Sequence, residues 1–271
     1  MKISSAIIGL TILACALIAV GLSADTHVNT SSDVLTVKAV QNNFQFELKK
    51  PLPSISNSIM EYKVNDVKIT PEYMDSISII YGINLSKDAQ WNDISPKNGK
   101  LLKFYATGGF IYMNPSKLHG DAPTNLPSKE DSIKIAEKYL DSQKLLPIDV
   151  GSAYVTPIEV SVYYPTNNTT INYTLAWTVH FNRTINGLKV YGPGQSLNVI
   201  VTDNGEINGV QKLWRDILPN QMINIKTPDQ AYSELVNGNN NTVTVPHTSA
   251  NKVAISEVSL GYYIEPVNRL F

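Results

Sequence analysis

The chain contains one cysteine among 271 residues, and that cysteine, Cys15, lies in an apolar N-terminal stretch. The rest of the chain therefore cannot form an intramolecular disulfide or a thiolate metal site. Charge is also scarce, because charged residues make up 17% of the chain and the formal net charge is −1. Since nucleic-acid-binding domains are usually basic, we expect no nucleic-acid partner.

Recognisable catalytic motifs are missing as well. The four histidines include no H-x-x-x-H pair, which excludes a zincin site; they are His27, His119, His180 and His247. The sequence has no G-x-S-x-G elbow, and its glycine-rich turns match neither a P-loop nor a Rossmann fingerprint. We therefore predict a protein that is not an enzyme, without catalytic, metal-binding or cofactor-binding residues and without a cofactor. A hydrolase with a discontinuous site around His119 and His180 stays open as an alternative.

The N-terminus has the pattern of an export signal. Lys2 is followed by an almost unbroken apolar run from Ala6 to Leu22, and the sequence turns polar after Ala24. A short basic region, an apolar run and small residues at its exit are typical of a secretory signal. Residues 1–24 are therefore predicted to be a signal peptide or, if uncleaved, an N-terminal membrane anchor. We expect the protein to be extracytoplasmic, either secreted or anchored to the outer face of the cytoplasmic membrane.

Asparagine is abundant, with 26 residues, and seven of these begin Asn-x-Ser/Thr sequons. Chance would give about four sequons in a chain of this composition, so the excess is mild. It is concentrated between Pro165 and Thr174. Because sequons in an exported chain can carry N-linked glycans, four of them become candidate glycosylation sites. These are Asn167, Asn168, Asn172 and Asn182.

Composition and local patterns divide the rest of the chain into segments. Residues 25–33 are polar and tether-like. Short strand patterns dominate residues 34–120, which we interpret as an N-terminal β-rich α+β unit. Residues 121–271, which contain both of the predicted helices, are interpreted as a C-terminal α+β unit.

Two hairpin turns and two helix caps recur at a similar spacing. Turn signals at Gly108-Gly109 and at Asp203-Asn204-Gly205 predict β-hairpins. Ser128 and Thr227 are placed to cap helices, each with a capping-box partner three residues later. The turns lie 96 residues apart and the caps 99. This regularity predicts an α+β fold of two similar units, in which antiparallel sheets are each packed by a helix.

The segment after Ile185 is the most distinctive in the chain. A turn at Asn186-Gly187 leads into a short apolar strand and then a Gly-Pro-Gly loop. Glycines in such a place allow another backbone to approach closely. We therefore predict a docking edge at Tyr191, Gly192, Pro193 and Gly194. The alternative interpretation is a tight corner in a twisted sheet.

Four sequence features follow one another along the chain: a capped helix at 126–136, W-x-V-x-F at 177–181, INGLKVYGPG at 185–194 and TDNGEI at 202–207. In this order they resemble PepSY-type modules, and they are similar to YycH/YycI-like regulatory proteins and to the propeptide domain of thermolysin-type proteases. The resemblance covers roughly residues 101–264 and carries over no site residues. It implies two PepSY-like helix-plus-hairpin units in a non-catalytic, membrane-proximal module that inhibits peptidases or modulates sensor proteins.

Together these observations lead us to expect an exported, non-catalytic binding or regulatory protein of the cell envelope. Its partner would be another envelope protein, namely a peptidase, a sensor or a surface-layer component. It would also contact the membrane through the N-terminal segment if that segment is uncleaved. The alternative is a structural, surface-layer-associated envelope glycoprotein, which the asparagine richness and the sequons indicate.

Overall fold

The computed structural model describes residues 8–9, 45–65, 68–83, 99–115, 118, 122–164, 168–237 and 252–265. Most of the predicted signal peptide and the whole predicted tether lie outside the described residues. The same holds for Asn167 and for three of the histidines, His27, His119 and His247. No helix in the described part of the chain is long and apolar enough to cross a membrane.

The described residues form thirteen strands and three α-helices. The first strands are β1 (Ile8–Gly9), β2 (Gln45–Leu48), β3 (Ser58–Asn65), β4 (Leu101–Phe104), β5 (Phe110–Met113) and β6 (Val150–Tyr164). The others are β7 (Thr169–Ile185), β8 (Leu188–Tyr191), β9 (Ser196–Val201), β10 (Ile207–Leu213), β11 (Asp216–Asn224), β12 (Lys252–Ile255) and β13 (Ser259–Tyr263). The helices are α1 (Pro71–Ile80), α2 (Lys129–Ser142) and α3 (Pro228–Val236).

Internal contacts divide the chain into two compact units. The described residues of the first unit lie within Met60–Gln221 and at 262–265. Those of the second unit are 8–9, 45–59, 222–237 and 252–261. In the second unit β2 pairs in parallel with β12, and β1 pairs antiparallel with the first residues of β13. The predicted domain boundary at residues 120 and 121 falls outside the described residues, so it stays a prediction.

The first unit is built on one sheet. Its strands lie in the order β8–β7–β9–β10–β5–β4, and β6 runs antiparallel along β7. All five neighbouring pairs in this order are antiparallel. Beyond β8, the Ile264 N–H donates to the Tyr191 carbonyl at 2.9 Å, and the Ile264 carbonyl accepts from the Gly194 N–H at 3.2 Å. Bonding back to one residue and forward to another is the pattern of a parallel pair.

One face of this sheet carries the core of the first unit. Because successive side chains of a strand point to opposite faces, alternate residues enter the core, as Val179 and Phe181 do on β7 and Leu197, Val199 and Val201 on β9. The sheet residues there include Leu102, Phe110, Tyr112, Val179, Leu197, Val199 and Val210, all buried. Two helices pack on them, α2 through Ala136 and Leu140 and α1 through Ile77, together with Tyr81 directly after the end of α1. We call this side the covered face.

Helices α2 and α3 begin directly after residues whose side chains cap them. The Ser128 hydroxyl accepts from the Asp131 N–H at 3.0 Å, and Thr227 forms a complete capping box with Gln230. Both predicted caps are therefore confirmed. The sequence analysis missed α1, which begins after Thr70 with Pro71 at its first position. This helix lies in a stretch that we expected to hold mostly short strands.

Both predicted hairpins are also confirmed. The Tyr105 N–H donates to the Gly109 carbonyl at 2.8 Å and closes the turn between β4 and β5. Between β9 and β10, Asn204 adopts the left-handed conformation (φ 55°) that this turn requires. The Asn125 N–H donates to the Asp203 carboxylate at 2.5 Å, so the loop before α2 holds the second turn in place.

The predicted fold class is wrong. The structure is mostly β with a large mixed sheet, and it does not consist of two helix-plus-hairpin antiparallel units. The two hairpins are neighbours in one sheet, because β5 pairs with β10 from Met113–Gly209 to Phe110–Lys212. An isolated hairpin leaves a row of unpaired N–H and C=O groups along each edge, and joining the two hairpins pairs one such row in each. The similar spacing of turns and caps therefore did not indicate a repeated unit.

Candidate functional site

The side of the sheet opposite α1 and α2 presents two straight rows of side chains. The first row crosses six strands through directly paired residues: Tyr154, His180, Asn198, Gln211, Ile111 and Lys103. The second row lies two residues away on each strand: Thr156, Thr178, Ile200, Gly209, Met113 and Leu101. We call these twelve residues the helix-free face. Gly209 is buried, Tyr154 is 51% exposed, and the other ten are half-buried.

A hydrogen-bonded ladder orders the polar half of this face. The His180 ring lies 2.9 Å from the Asn198 side-chain oxygen through Nδ1 and 2.7 Å from the Thr156 hydroxyl through Nε2. The Asn198 amide nitrogen donates onward to the Gln211 side-chain oxygen at 3.0 Å. Tyr154 stacks on the His180 ring with centroids 4.7 Å apart and an interplanar angle of 15°. Side chains from four strands are thus held in one arrangement.

The ladder determines which nitrogen of His180 carries the proton. Since Asn198 donates to Gln211 through its nitrogen, its oxygen faces the ring and accepts from Nδ1–H. In the neutral ring, the form that the lowered pKa of His180 favours, Nε2 then accepts from the Thr156 hydroxyl. Burial lowers the pKa of His180, and the hydrogen bond to Asn198 opposes that shift. Neither row contains a carboxylate, and Lys103 is the one charged residue of the face.

The ladder has some features of a nucleophilic site. Thr156, His180 and Asn198 stand in the order of nucleophile, base and orienting group. Acyl transfer also requires donors that converge on the developing oxyanion and a site that excludes water. Among the described residues β6 has only β7 as a neighbour, so Thr156 lies at the open rim of the sheet. At that rim the three residues form an ordered polar part of the helix-free face.

The residues of the predicted docking edge contact the chain's own segment at 264–265. Besides the two backbone hydrogen bonds of Ile264, the Arg215 guanidinium donates to the Gly194 carbonyl at 3.2 Å and to the Glu265 carbonyl at 2.7 Å. A Cβ atom at Gly192 would collide with the Ile264 carbonyl, and one at Gly194 with the Glu265 carbonyl. The glycines therefore permit the close backbone approach for which they were singled out. That a partner docks at this edge stays a prediction.

Next to this edge lies a charged cluster that the sequence analysis missed. The buried Arg183 donates through Nε to the Asp149 carboxylate at 2.6 Å and through Nη1 to the Arg215 carbonyl at 2.8 Å. Trp214 donates to the other Asp149 oxygen at 2.8 Å, and the Arg183 guanidinium lies 5.1 Å from the Trp214 ring centre. Burial lowers the pKa of Arg183, while the Asp149 carboxylate opposes that shift. The cluster is linked to the segment at 264–265 through Arg215, whose carbonyl accepts from Arg183 and whose guanidinium donates to the Glu265 carbonyl.

The candidate glycosylation sites occupy different surroundings. Asn168 is exposed at the turn between β6 and β7 with φ 53°, and its oxygen accepts from the Tyr163 hydroxyl at 3.0 Å. Asn172 is exposed on β7. Asn182 lies farther along the same strand, half-buried, and its amide nitrogen donates to the Ser152 hydroxyl at 3.2 Å.

In the described part of the chain, no group of three or more His, Cys, Asp or Glu side chains is arranged to hold a metal ion. His180 lies on the side of β7 away from Trp177, whose ring nitrogen donates to the Pro127 carbonyl before α2. A polar residue between two buried apolar residues, as Asn198 between Leu197 and Val199, was the signal that could have revealed the ladder.

Comparisons with known proteins identify no family for this chain. It matches no protein-family model, and no curated protein or solved structure is significantly similar to it. The resemblance to PepSY-type modules therefore stays a prediction.

Proposed function

We propose that this is an exported, non-catalytic binding or regulatory protein of the cell envelope, and that it engages its partner through the helix-free face. The observation that supports this proposal is the ladder of Thr156, His180, Asn198 and Gln211. Its side chains are already ordered by one another, so binding would require little further loss of conformational freedom. A surface ordered in this way is suited to recognition.

The composition of the face favours a protein as the partner. Beside the polar ladder, four apolar side chains lie together on neighbouring strands, namely Leu101, Ile111, Met113 and Ile200. An apolar patch bordered by hydrogen-bonding groups, with Met and Tyr among its members, is the usual composition of protein interfaces. A peptidase, a sensor or a surface-layer component of the envelope would each offer such a surface.

Site-specific crosslinking in the native cells tests the proposal. A photo-crosslinking residue at Gln211 should give a discrete adduct with an envelope protein, whereas one at Lys134, exposed on α2, should give none. Met113→Lys should abolish the Gln211 adduct. The matched control is Ile148→Lys, because Ile148 is a fully exposed apolar residue outside the face. Equal labelling from Gln211 and Lys134, or an adduct that survives Met113→Lys, would contradict the proposal.

A second candidate function is that of a structural, surface-layer-associated envelope glycoprotein. The observation that favours it is the exposure of Asn168 and Asn172 near the tip of the β6–β7 hairpin. The intact mass of protein isolated from native cells checks it. A mass equal to that of the unmodified exported polypeptide would count against this candidate.

Export underlies both candidates and is tested separately. The apolar run from Ala6 to Leu22 supports export, and an uncleaved run would also tether the protein to the membrane. Cell fractionation with protease added to intact cells or spheroplasts should find the protein accessible from outside. Full protection, with the protein in the cytoplasmic fraction, would overturn export.

A further inference from the structure

We propose that Asn172 is the acceptor of an N-linked glycan and that Asn182, ten residues along the same strand, is not. The inference rests on the proposed export of the protein. Both residues begin an Asn-x-Thr sequon, so the sequence gives no reason to separate them. What separates them is their position in β7.

The two sequons differ in how many strands hold them. Among the described strands, residues 172–174 pair with β6 alone, opposite Ser161, Val160 and Glu159, because β9 pairs with β7 no farther than Trp177. The Asn182 sequon lies between two strands, since Arg183 pairs with Val150 of β6 and with Val190 of β8. We call the two-stranded part of the hairpin, 159–164 with 168–174, the arm.

This difference decides how easily a modifying enzyme could reach each sequon. A two-stranded ladder without further neighbours is marginally stable in water, so the arm can open locally. A segment in the middle of a sheet is released only when much of the sheet opens with it. An oligosaccharyltransferase that must hold the sequon apart from its strand partner therefore meets Asn172 far more often than Asn182.

The side-chain amide nitrogens, which would receive the sugar, also favour Asn172 over Asn182. In the transfer, the amide nitrogen attacks the anomeric carbon of a sugar carried on a lipid phosphate. A carbon–nitrogen bond forms, the bond from that carbon to the phosphate oxygen breaks, and the lipid phosphate leaves as an anion while the amide nitrogen gives one proton to a base of the transferase. In Asn182 this nitrogen donates a hydrogen bond to the Ser152 hydroxyl, whereas no side-chain hydrogen bond of Asn172 occurs among the described residues.

Glycosylation at Asn172 and not at Asn182 is also compatible with partner binding at the helix-free face. Asn182 is two residues from His180 on β7, so its side chain projects from the same side of the sheet. A glycan there would cover the polar end of the helix-free face. A glycan at Asn172 would lie on the arm, on the side that carries Ser161 and Thr174, and would leave the rows unobstructed.

The test compares the two sequons in one folded protein. Purified protein is incubated with membranes containing an oligosaccharyltransferase and with a lipid-linked oligosaccharide, and glycopeptides are quantified by mass spectrometry. We expect occupancy at Asn172 to exceed that at Asn182 at least about tenfold, which corresponds to about 1.4 kcal/mol in opening free energy. Thr174→Ala should remove the Asn172 glycan, and the matched variant Thr184→Ala should change nothing.

Unfolding supplies the control. Because the body of the chain has no cysteine, urea unfolds it without disulfide reduction, and the unfolded chain should accept glycan at both sequons. Equal occupancy in the folded protein, or transfer to Asn172 only after unfolding, would overturn the proposal. This readout does not depend on export. Protein that fractionates to the cytoplasm yet shows the selectivity in vitro would refute export and leave the acceptor assignment standing.

Discussion

The covered face and the helix-free face of the first unit belong to the same strands, yet neighbouring residues meet opposite surroundings. Val179 is fully buried beneath the helices, while His180 takes part in the polar ladder. The same contrast separates Val199 from Asn198. If burial on the covered face supplies most of the free energy of unfolding, the residues of the helix-free face can be selected for binding without much loss of stability. Three predictions test whether the two faces are separated in this way.

The largest expected effect concerns a charge on the covered side. The Arg183 side chain is 3% exposed and forms an ion pair with Asp149 at 2.5 Å. Asp149→Asn would leave the guanidinium buried without its carboxylate, which typically lowers the free energy of unfolding by about 3–5 kcal/mol. Urea denaturation followed by circular dichroism measures the change. Asp141→Asn, at an exposed carboxylate on α2, is the control and should stay within about 0.5 kcal/mol.

A loss below about 1 kcal/mol for Asp149→Asn would mean that solvent reaches Arg183 and that burial on this side does not govern stability.

The second prediction compares two apolar residues on opposite faces of β9. Leu197 is fully buried on the covered face, and Ile200 is half-buried on the helix-free face. Leu197→Ala should lower the free energy of unfolding by about 3 kcal/mol, because it removes buried surface and leaves a cavity. Ile200→Ala should cost only about 1 kcal/mol, since its surroundings are already partly solvated. Equal losses in urea denaturation would show that both faces belong to one core.

Local signals in the sequence predicted local structure well. The caps at Ser128 and Thr227 and the turn at Asn204 depend on side chains within a few residues, so they can be read from short motifs. Helix α1 could have been found in the same way. Its start, Thr70-Pro71-Glu72, repeats the pattern of Thr227-Pro228-Asp229, with a threonine cap, proline at the first position and an acidic second residue.

The assembly of the sheet and of the ladder could not be predicted from such motifs. Pairing of β5 with β10 joins segments far apart in sequence, and no short pattern encodes which hairpin edges meet. The ladder depends on that pairing, because Thr156, His180, Asn198 and Gln211 come from four different strands. Alternation along β7 puts His180 on the opposite side from Val179, but only the register of the strands shows which side chains His180 contacts.

The smallest expected effect is a pH dependence that arises on the helix-free face. Burial lowers the pKa of His180 below the ordinary value of 6.5, so the folded state binds its proton less readily than the unfolded state. His180 therefore contributes its full share of the free energy of unfolding above the pKa of the unfolded state. That share is lost as the pH falls from there towards the lower pKa of the folded state. Each full unit between the two values would correspond to about 1.4 kcal/mol. His180→Gln should remove this part of the dependence.

The ladder itself supplies a control for the pH prediction. Because the Asn198 oxygen accepts the Nδ1 proton and opposes the downward shift, Asn198→Leu should lower the pKa of His180 further in an NMR titration of the ring. The remaining histidines contribute equally to wild type and to His180→Gln, so the difference between their stability curves isolates this ring. Curves that stay parallel from about pH 8 to about pH 5 would mean that His180 is solvated like an exposed side chain. In that case the polar side of the sheet would be loosely ordered, and the contrast between the two faces would rest on the covered face alone.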